Sequence, residues 1–501
     1  MSLKSDHDIK KNEMTFLMKF KHIVNNITIE PMLFCYNIPC ALTTLANQNL
    51  YLEKACRVNL GYNETVCDAL TARDTANYTV EEKAVQQLVV SMQGWRSIIH
   101  SLLPCLMILF WGSWSDRHGK RKPCMFIPLI GEITATFGMI LNTYFKSWPM
   151  EIAAINDSLF PALSGGGFLM QLGTFSYMAD ITTEEDRTLR IGFVNLCPSV
   201  GYPIGLAVSG ILLKLIGFYG IFFLAAMFNI LAFFYCIFYV KESPMKVQVQ
   251  KKSKAQKKNF IIDFFDMEHI VETFRVAFKK GENQRRLRVS VLLIVVMVIM
   301  GPLFGEYSVF YLFTRYKFNW SEVEYSFFIS YAVVVSLIGT LFAVFVFSKL
   351  LKFDDSIVGI IALISKITAS FVYLLATKSW QFYVAPLVEF VSGSSFIAMR
   401  SIASKLVKSD ELGKVNSLFG VAEGIVPLIY VPLYTQVYRM TINKWPGAFM
   451  ALGSLMTLPA IFIFIWMYKK NKEDERRKLE DNQINENEKF LEFANSQNIN
   501  L

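Results

Sequence analysis

The residues of this chain that can do chemistry are ionisable side chains set inside long apolar runs. Arg96 and His100 stand four apart and therefore share one helical face. Glu132, Glu306, Lys366 and Glu423 each interrupt another run, and Glu389 and Arg400 share one. Such a group costs roughly 3 kcal/mol when it faces lipid, so each is expected to face a cavity or an opposite charge. The chemistry they offer is anion recognition and proton transfer. The Arg400 guanidinium suits a carboxylate or phosphate, as an anion contact or a gate. The alternative for Arg400 is a side chain that snorkels to the inner face. Arg96 and His100 are expected either to meet an anionic substrate or to join a structural ion pair, with Glu132 as the expected partner of Arg96. Histidine titrates nearest to physiological pH, which makes His100 a proton-sensing candidate. Lys366 is a further substrate-contact candidate, with Glu389 or Glu423 expected to neutralise it. Glu423 and Glu306 are the carboxylate candidates for a coupling proton. No Ser/His/Asp grouping or metal-ligand spacing stands out among five His and eight Cys, so no enzyme activity, metal or cofactor is expected. No Gly-x-x-x-x-Gly-Lys-Ser/Thr loop is present to cradle ATP for a pump.

The elements that carry these residues follow from composition. Of 501 residues, 53% are hydrophobic and only 18% charged, and the charges are gathered into blocks. Apolar runs of about 20 residues recur between the blocks, long enough to span a bilayer. The expected fold is an all-α integral membrane protein with twelve transmembrane helices in two six-helix bundles. A cytoplasmic tail, 1–26, is Lys-rich and polar, without the apolar core of a cleaved signal peptide. The N-terminal bundle covers 27–240, a basic cytoplasmic linker 241–288, the C-terminal bundle 289–468 and a second cytoplasmic tail 469–501. The net charge of +9 falls in alternate inter-helix gaps, which is the positive-inside pattern and not a patch for a nucleic-acid polymer.

The first bundle has spans at about 27–51, 87–111, 124–144 and 151–178, with two more closing near 240. The second has them at 289–313, 323–347, 356–376, 380–403, 415–437 and 448–468. Residues 52–86 are expected as an extracellular or luminal loop. Asn63 and Asn77 lie there in glycosylation sequons, and Asn319 stands in a third sequon further on. Cys56 and Cys67 share that loop, either as a local disulfide or as two free thiols. Ser164-Gly-Gly-Gly167 in span four lets a neighbouring backbone come close. Within the linker, 260–278 is expected as an amphipathic surface helix that can meet anionic membrane lipid, and the second tail is expected to be disordered. Six spans, a linker and six more make the two-bundle layout of a secondary transporter.

Gly112-x-x-x-Asp116-Arg117-x-Gly119-Lys120-Arg121 resembles the signature loop of the major facilitator superfamily. Several stretches resemble, more narrowly, the proton-coupled folate transporter family, with its heme-carrier/folate, thymic stromal cotransporter and lysosomal members. They are Ile29-Glu30-Pro31, Leu60-Gly-Tyr-Asn63, Gly112-Ser-Trp-Ser-Asp116, Ala179-Asp180 with Arg187-Thr-Leu-Arg190, and Arg400 with Ser404-Lys-Leu-Val407. The resemblance implies alternating-access transport of small organic, often anionic solutes, with H⁺ as co-substrate in some members. It implies that Gly112, Asp116, Arg117, Gly119 and Arg121 form a cytoplasmic latch, and that Arg400 matches an arginine used for function. The sequence also departs from the folate member. Gly166, Asn195 and Gly301 stand where that member has two carboxylates and a His. Asn319 replaces a cysteine of its inter-loop disulfide, which leaves only the Cys56–Cys67 pair. The expected cargo therefore shifts from folates to bulkier anions, such as cyclic dinucleotides, muropeptides or conjugates. The alternative is a solute sensor or scaffold that keeps the fold without transporting. Neither tail carries an acidic dileucine or tyrosine-based sorting signal, which favours the plasma membrane over the lysosomal membrane.

Overall fold

In the computed structural model the described residues are 27–182, 184–242, 264–265, 285–406 and 412–498, and among them there is helix and no strand. The tail 1–26, most of the linker 241–288 and nearly all of the expected surface helix 260–278 lie outside them. The helices are α1 (Glu30–Lys54), α2 (Glu64–Ala72), α3 (Thr79–His118), α4 (Pro123–Tyr144), α5 (Met150–Leu163), α6 (Gly166–Ile181) and α7 (Glu184–Phe238). There follow α8 (Arg285–Phe318), α9 (Glu322–Ala343), α10 (Asp355–Leu375), α11 (Ser379–Phe382), α12 (Ala385–Val388), α13 (Ser394–Leu406), α14 (Leu412–Thr441) and α15 (Ala448–Asn498). Among the described residues, seven of these helices contain stretches long and apolar enough to cross a membrane.

Their ends follow local chemistry. Pro31 and Pro123 stand in the first turns of α1 and α4, where a missing N–H is no loss. Gly119 ends α3 with φ 60°, a left-handed conformation that a side chain resists, so this glycine of the signature loop has a backbone reason to be there.

The chain divides into two compact units: Met1–Ile270 with Phe310–Tyr331, and Val271–Val309 with Ala332–Leu501. The last turns of α8 thus belong to the first unit. That unit packs Met32, Tyr36, Leu129, Met170 and Cys236 into one core, and the second packs Leu292, Met399, Phe419 and Phe464 into another.

Several expected spans are built differently. Span four is two helices: Gly165 and Gly166 take φ 84° and 53°, and α6 starts afresh after α5. The glycine run is therefore a break as well as a close approach. The approach itself is made by Gly131 of α4, where an added Cβ would lie 2.1 Å from Ser164 Oγ. Span ten is three short pieces, α11 to α13, with tight turns through 389–393 after α12. A Cβ on Gly339 of α9 would fall 1.6 Å from the Phe390 carbonyl oxygen, so that helix backbone lies directly against the break. The run α7 changes direction at Gly217, with φ 64° and ψ −172°. Residues 52–86 are largely helical, because α1 runs to Lys54 and α3 already starts at Thr79. The second tail is helical to Asn498, which corrects the expectation of disorder. It holds no Gly or Pro beyond 468 and is rich in Glu, Lys and Arg, all good helix formers. Arg288 pins its start, 2.6 Å from Asp474.

Candidate functional site

Each unit contains a buried charge cluster beside one of the broken helices. In the first unit Asp157 sits on α5, two turns before the break. It accepts the Arg96 guanidinium from α3, the Tyr51 hydroxyl at 2.8 Å and the Asn47 amide at 2.8 Å, both from α1. Arg96 also lies over the Tyr51 ring, 5.8 Å from its centroid. The partner of Arg96 is therefore Asp157 and not Glu132, which corrects the sequence-based pairing. Asp157 comes within reach because α5 packs against both α1 and α3. Asp157 stands outside the sequence-based candidates, although its burial cost marks it like the others. His100, one turn along α3 from Arg96, is exposed and is not among the groups hydrogen-bonded to Asp157, although it lies within electrostatic reach of that carboxylate.

In the second unit Lys366 of α10 donates to Glu306 of α8 at 2.7 Å and to Glu389 at 2.9 Å. Glu389 lies at the head of the span-ten break, where Ser392 and Gly393 disfavour helix. The expected Lys366–Glu389 pairing is present, and Glu306 joins it. Glu423 does not, because it holds Arg400: the guanidinium meets the Glu423 carboxylate and stacks on Phe396 and Phe419, 5.1 and 5.5 Å from their centroids. Arg400 is thus already paired with a carboxylate in this structure.

Glycines make the Glu306 corner possible. A Cβ on Gly453 would lie 2.3 Å from Glu306 Oε1 and 3.1 Å from the Tyr434 hydroxyl. Both of those oxygens are buried without a hydrogen-bond partner among the described residues. Gly305 and Gly301 receive the rings of Tyr434 and Tyr430, at 2.4 and 2.1 Å from the Cβ each would carry. A histidine at 301 would have to displace Tyr430, so the departure from the folate member is built into the packing. Gly166 carries the second left-handed conformation of the span-four break, with φ 53°, and the Asn195 side chain lies outside the described residues.

The signature loop supplies a different kind of order. Arg121 donates to Asp180 Oδ2 at 2.9 Å and to Ser115 Oγ at 3.1 Å, and Glu242 accepts from the Arg121 and Lys122 amides. These partners all lie in the same unit as Arg121, so they brace the loop to its own bundle. Gly112 lies close to α6, with Leu172 Cδ2 3.0 Å from a Cβ built there. Arg117 is half-buried, and the Asp116 side chain lies outside the described residues.

A third cluster, unforeseen in the sequence, joins the start of α3 to the end of α8 inside the first unit. Arg315 donates to Glu82 Oε1 at 2.7 Å and to the Leu70 carbonyl at 3.0 Å, and both ion-pair side chains are only 5% exposed. Gln86 also donates to Glu82, at 2.9 Å. Arg73 donates to the Tyr311 hydroxyl, which donates in turn to Asn49. Burial draws the Arg73 guanidinium below its ordinary pKa. Arg315 and Lys317 close an apolar run at the end where the positive-inside bias expects few cations, and that is the signal the sequence offers. Next to this cluster Cys56 and Cys67 meet in disulfide geometry, with Cα atoms 5.8 Å apart. Asn63 and Asn77 are exposed. Asn319 is exposed too, but its amide nitrogen donates to the Arg73 carbonyl at 2.9 Å.

Apolar helices with paired intramembrane charges and paired helix breaks define a membrane transporter of the two-unit kind. The chain belongs to the Major Facilitator Superfamily, whose family model matches residues 69–430. It is 24% identical over 455 residues to a Drosophila melanogaster protein described as a probable peptidoglycan muropeptide transporter, covering 88% of this chain and 85% of the relative. It is 25% identical to the Gallus gallus lysosomal proton-coupled steroid conjugate and bile acid symporter, over 88% of this chain and 94% of the relative. It is 22% identical to the Rattus norvegicus proton-coupled folate transporter, over 87% and 91%. The resemblance to the folate transporter family noted in the sequence is thereby shown, and the protein is a multi-pass membrane transporter rather than an enzyme. Among solved structures, the human organic anion transporter MFSD10 (TETRAN) shares the fold with a TM-score of 0.59 at 13% identity, over 87% of this chain and 98% of that one.

Proposed function

We propose that this protein is a secondary transporter that moves organic anions by alternating access, with protons as co-substrate. The observation that carries this is the pairing of the candidate binding cations with carboxylates: Arg96 with Asp157, Lys366 with Glu306 and Glu389, and Arg400 with Glu423. A cation held in this way is a poor anion receptor until its carboxylate is neutralised. A proton on Glu423 releases Arg400, and a proton on Glu306, at the Oε1 that has no other partner among the described residues, loosens Lys366. Proton and anion then enter as one neutral pair, which is the cheapest way to carry charge through a low-dielectric site. The names of the relatives support small amphipathic anions, namely muropeptides, bile acids and steroid conjugates, or folates, and cyclic dinucleotides fit the same chemistry.

The twelve-span layout with both termini cytoplasmic, the latch role of Asp116 and Arg117 and a plasma-membrane address complete this reading, and a lysosomal relative supports the other address. A sensor or scaffold would keep the fold but show no uptake of any such anion. In cells, Arg400→Ala is expected to abolish uptake of the transported anion while the protein still reaches the membrane. Glu423→Gln should keep uptake but flatten its rise at acidic pH. Near-normal uptake in Arg400→Ala would remove Arg400 from the site.

We also infer that the Cys56–Cys67 contact is a disulfide and that Asn63 and Asn77 carry glycans. Asn319, whose amide is already engaged, is a weaker acceptor. A deglycosylation shift on gels that is as large in an Asn63→Gln/Asn77→Gln double variant as in wild type would contradict that assignment.

A further inference from the structure

In the first unit one intramembrane carboxylate is left over. Asp157 takes Arg96 together with the Tyr51 hydroxyl and the Asn47 amide, and this exhausts the cation on that side. Glu132 of α4 is half-buried, and among the described residues its carboxylate has no hydrogen bond and no ion pair. It is next to Gly131, the residue that packs against Ser164 at the break between α5 and α6. The groups within electrostatic reach of it are Tyr36 and Cys40 of α1 and Asp157 of α5. Those from α1 are neutral and the one from α5 is an anion. Arg96 and His100 of α3 act on Asp157 instead, and no charged group of α6 or α7 among the described residues is directed at Glu132.

We infer that Glu132 is a proton-carrying position of the first unit, separate from the ion-paired carboxylates of the second. An uncompensated carboxylate inside a span is costly, and a second anion nearby makes it more so. With no cation to share, the cheapest neutralising agent is a proton. The proton binds when the surroundings of the span-four break are closed to water, and it leaves when they are wetted. This contrasts with Glu306 and Glu423, whose protons must compete with Lys366 and Arg400. The two kinds of site therefore fill in order, Glu132 first, and the first unit arrives protonated at the step in which the second exchanges cation for substrate.

The part Glu132 plays in transport rests on the proton-coupled reading, but the test of its protonation does not. The purified full chain in lipid vesicles is titrated by infrared spectroscopy, following the carbonyl band of protonated carboxyl groups. Wild type is expected to show a band that Glu132→Gln lacks and that Glu132→Asp retains at a displaced frequency. The other protonated-carboxyl bands should be unchanged. Identical spectra for wild type and Glu132→Gln would overturn the assignment. In the same vesicles, labelled muramyl dipeptide is the transport probe. Protons moved per probe should fall in Glu132→Gln while probe exchange without a proton gradient persists. Unchanged proton movement in that variant would overturn the role in coupling. A wild type that moves the probe without protons would sink the proton-coupled reading while leaving the infrared result to decide Glu132.

Discussion

Lys366→Met is expected to abolish uptake and to destabilise the second unit by about 3–5 kcal/mol, the range for removing one partner of a buried pair. The reason is specific to this corner. Glu306 and Glu389 both point at the Lys366 ammonium, and Glu306 Oε1 has no other partner among the described residues. Without the lysine, two carboxylates face each other in an apolar surround, held there by Gly453, Gly305 and the Tyr434 ring. Thermal unfolding of the purified protein reads the stability loss. Adding Glu306→Gln and Glu389→Gln to the variant should restore most of the stability without restoring uptake. That would separate the packing role of the lysine from its proposed role with substrate. A Lys366→Met variant as stable as wild type would contradict the cluster as described.

The second large effect is expected at Arg315. Its pair with Glu82 is among the most enclosed of the described ion pairs, and Arg315→Ala strands the carboxylate as well as the Leu70 carbonyl. A loss of roughly 3–5 kcal/mol is expected here too. The consequence for transport is different. Glu82, Leu70, Asn49 and Tyr311 tie the first turns of α3 and the disulfide-bearing segment to the end of α8, the stretch of that helix that belongs to the first unit. Loosening this tie should favour states with that side open. In cells, cysteine labelling at exposed positions near Asn319 should therefore accelerate in Arg315→Ala. A Glu82→Arg/Arg315→Glu exchange should reverse part of the effect. Labelling that stays at the wild-type rate in Arg315→Ala would show that the pair is no closure.

Much of this architecture is legible from hydropathy and loop charge, because a bilayer leaves an apolar chain few options besides helices. The charged residues announce themselves through their cost. What the sequence does not encode locally is which charge meets which. Two carboxylates, Glu132 and Asp157, are open to Arg96, and only the packing of α5 against α1 and α3 decides for Asp157. Glu423 is available to either Lys366 or Arg400, and the stacking of Arg400 on Phe396 and Phe419 settles its partner. The helix breaks are hidden for a related reason. The small residues from Ser164 to Gly167 suit a close approach as well as a break, and Ser392 to Ser395 suit a polar patch, until φ angles and neighbours are known. In the second tail polarity points to disorder, whereas the helix propensity of its Glu, Lys and Arg residues prevails.

In the proposed cycle a proton reaches the paired carboxylates before the anion is held. The most direct test of this is accumulation of a labelled anionic probe, muramyl dipeptide or a bile acid, in vesicles containing the wild-type protein under an imposed pH gradient. The expected result is accumulation above the external concentration on the side to which protons flow, collapse of that accumulation with a protonophore, and its absence in Arg400→Ala. Uptake that merely equilibrates and is indifferent to the gradient would contradict proton-first binding.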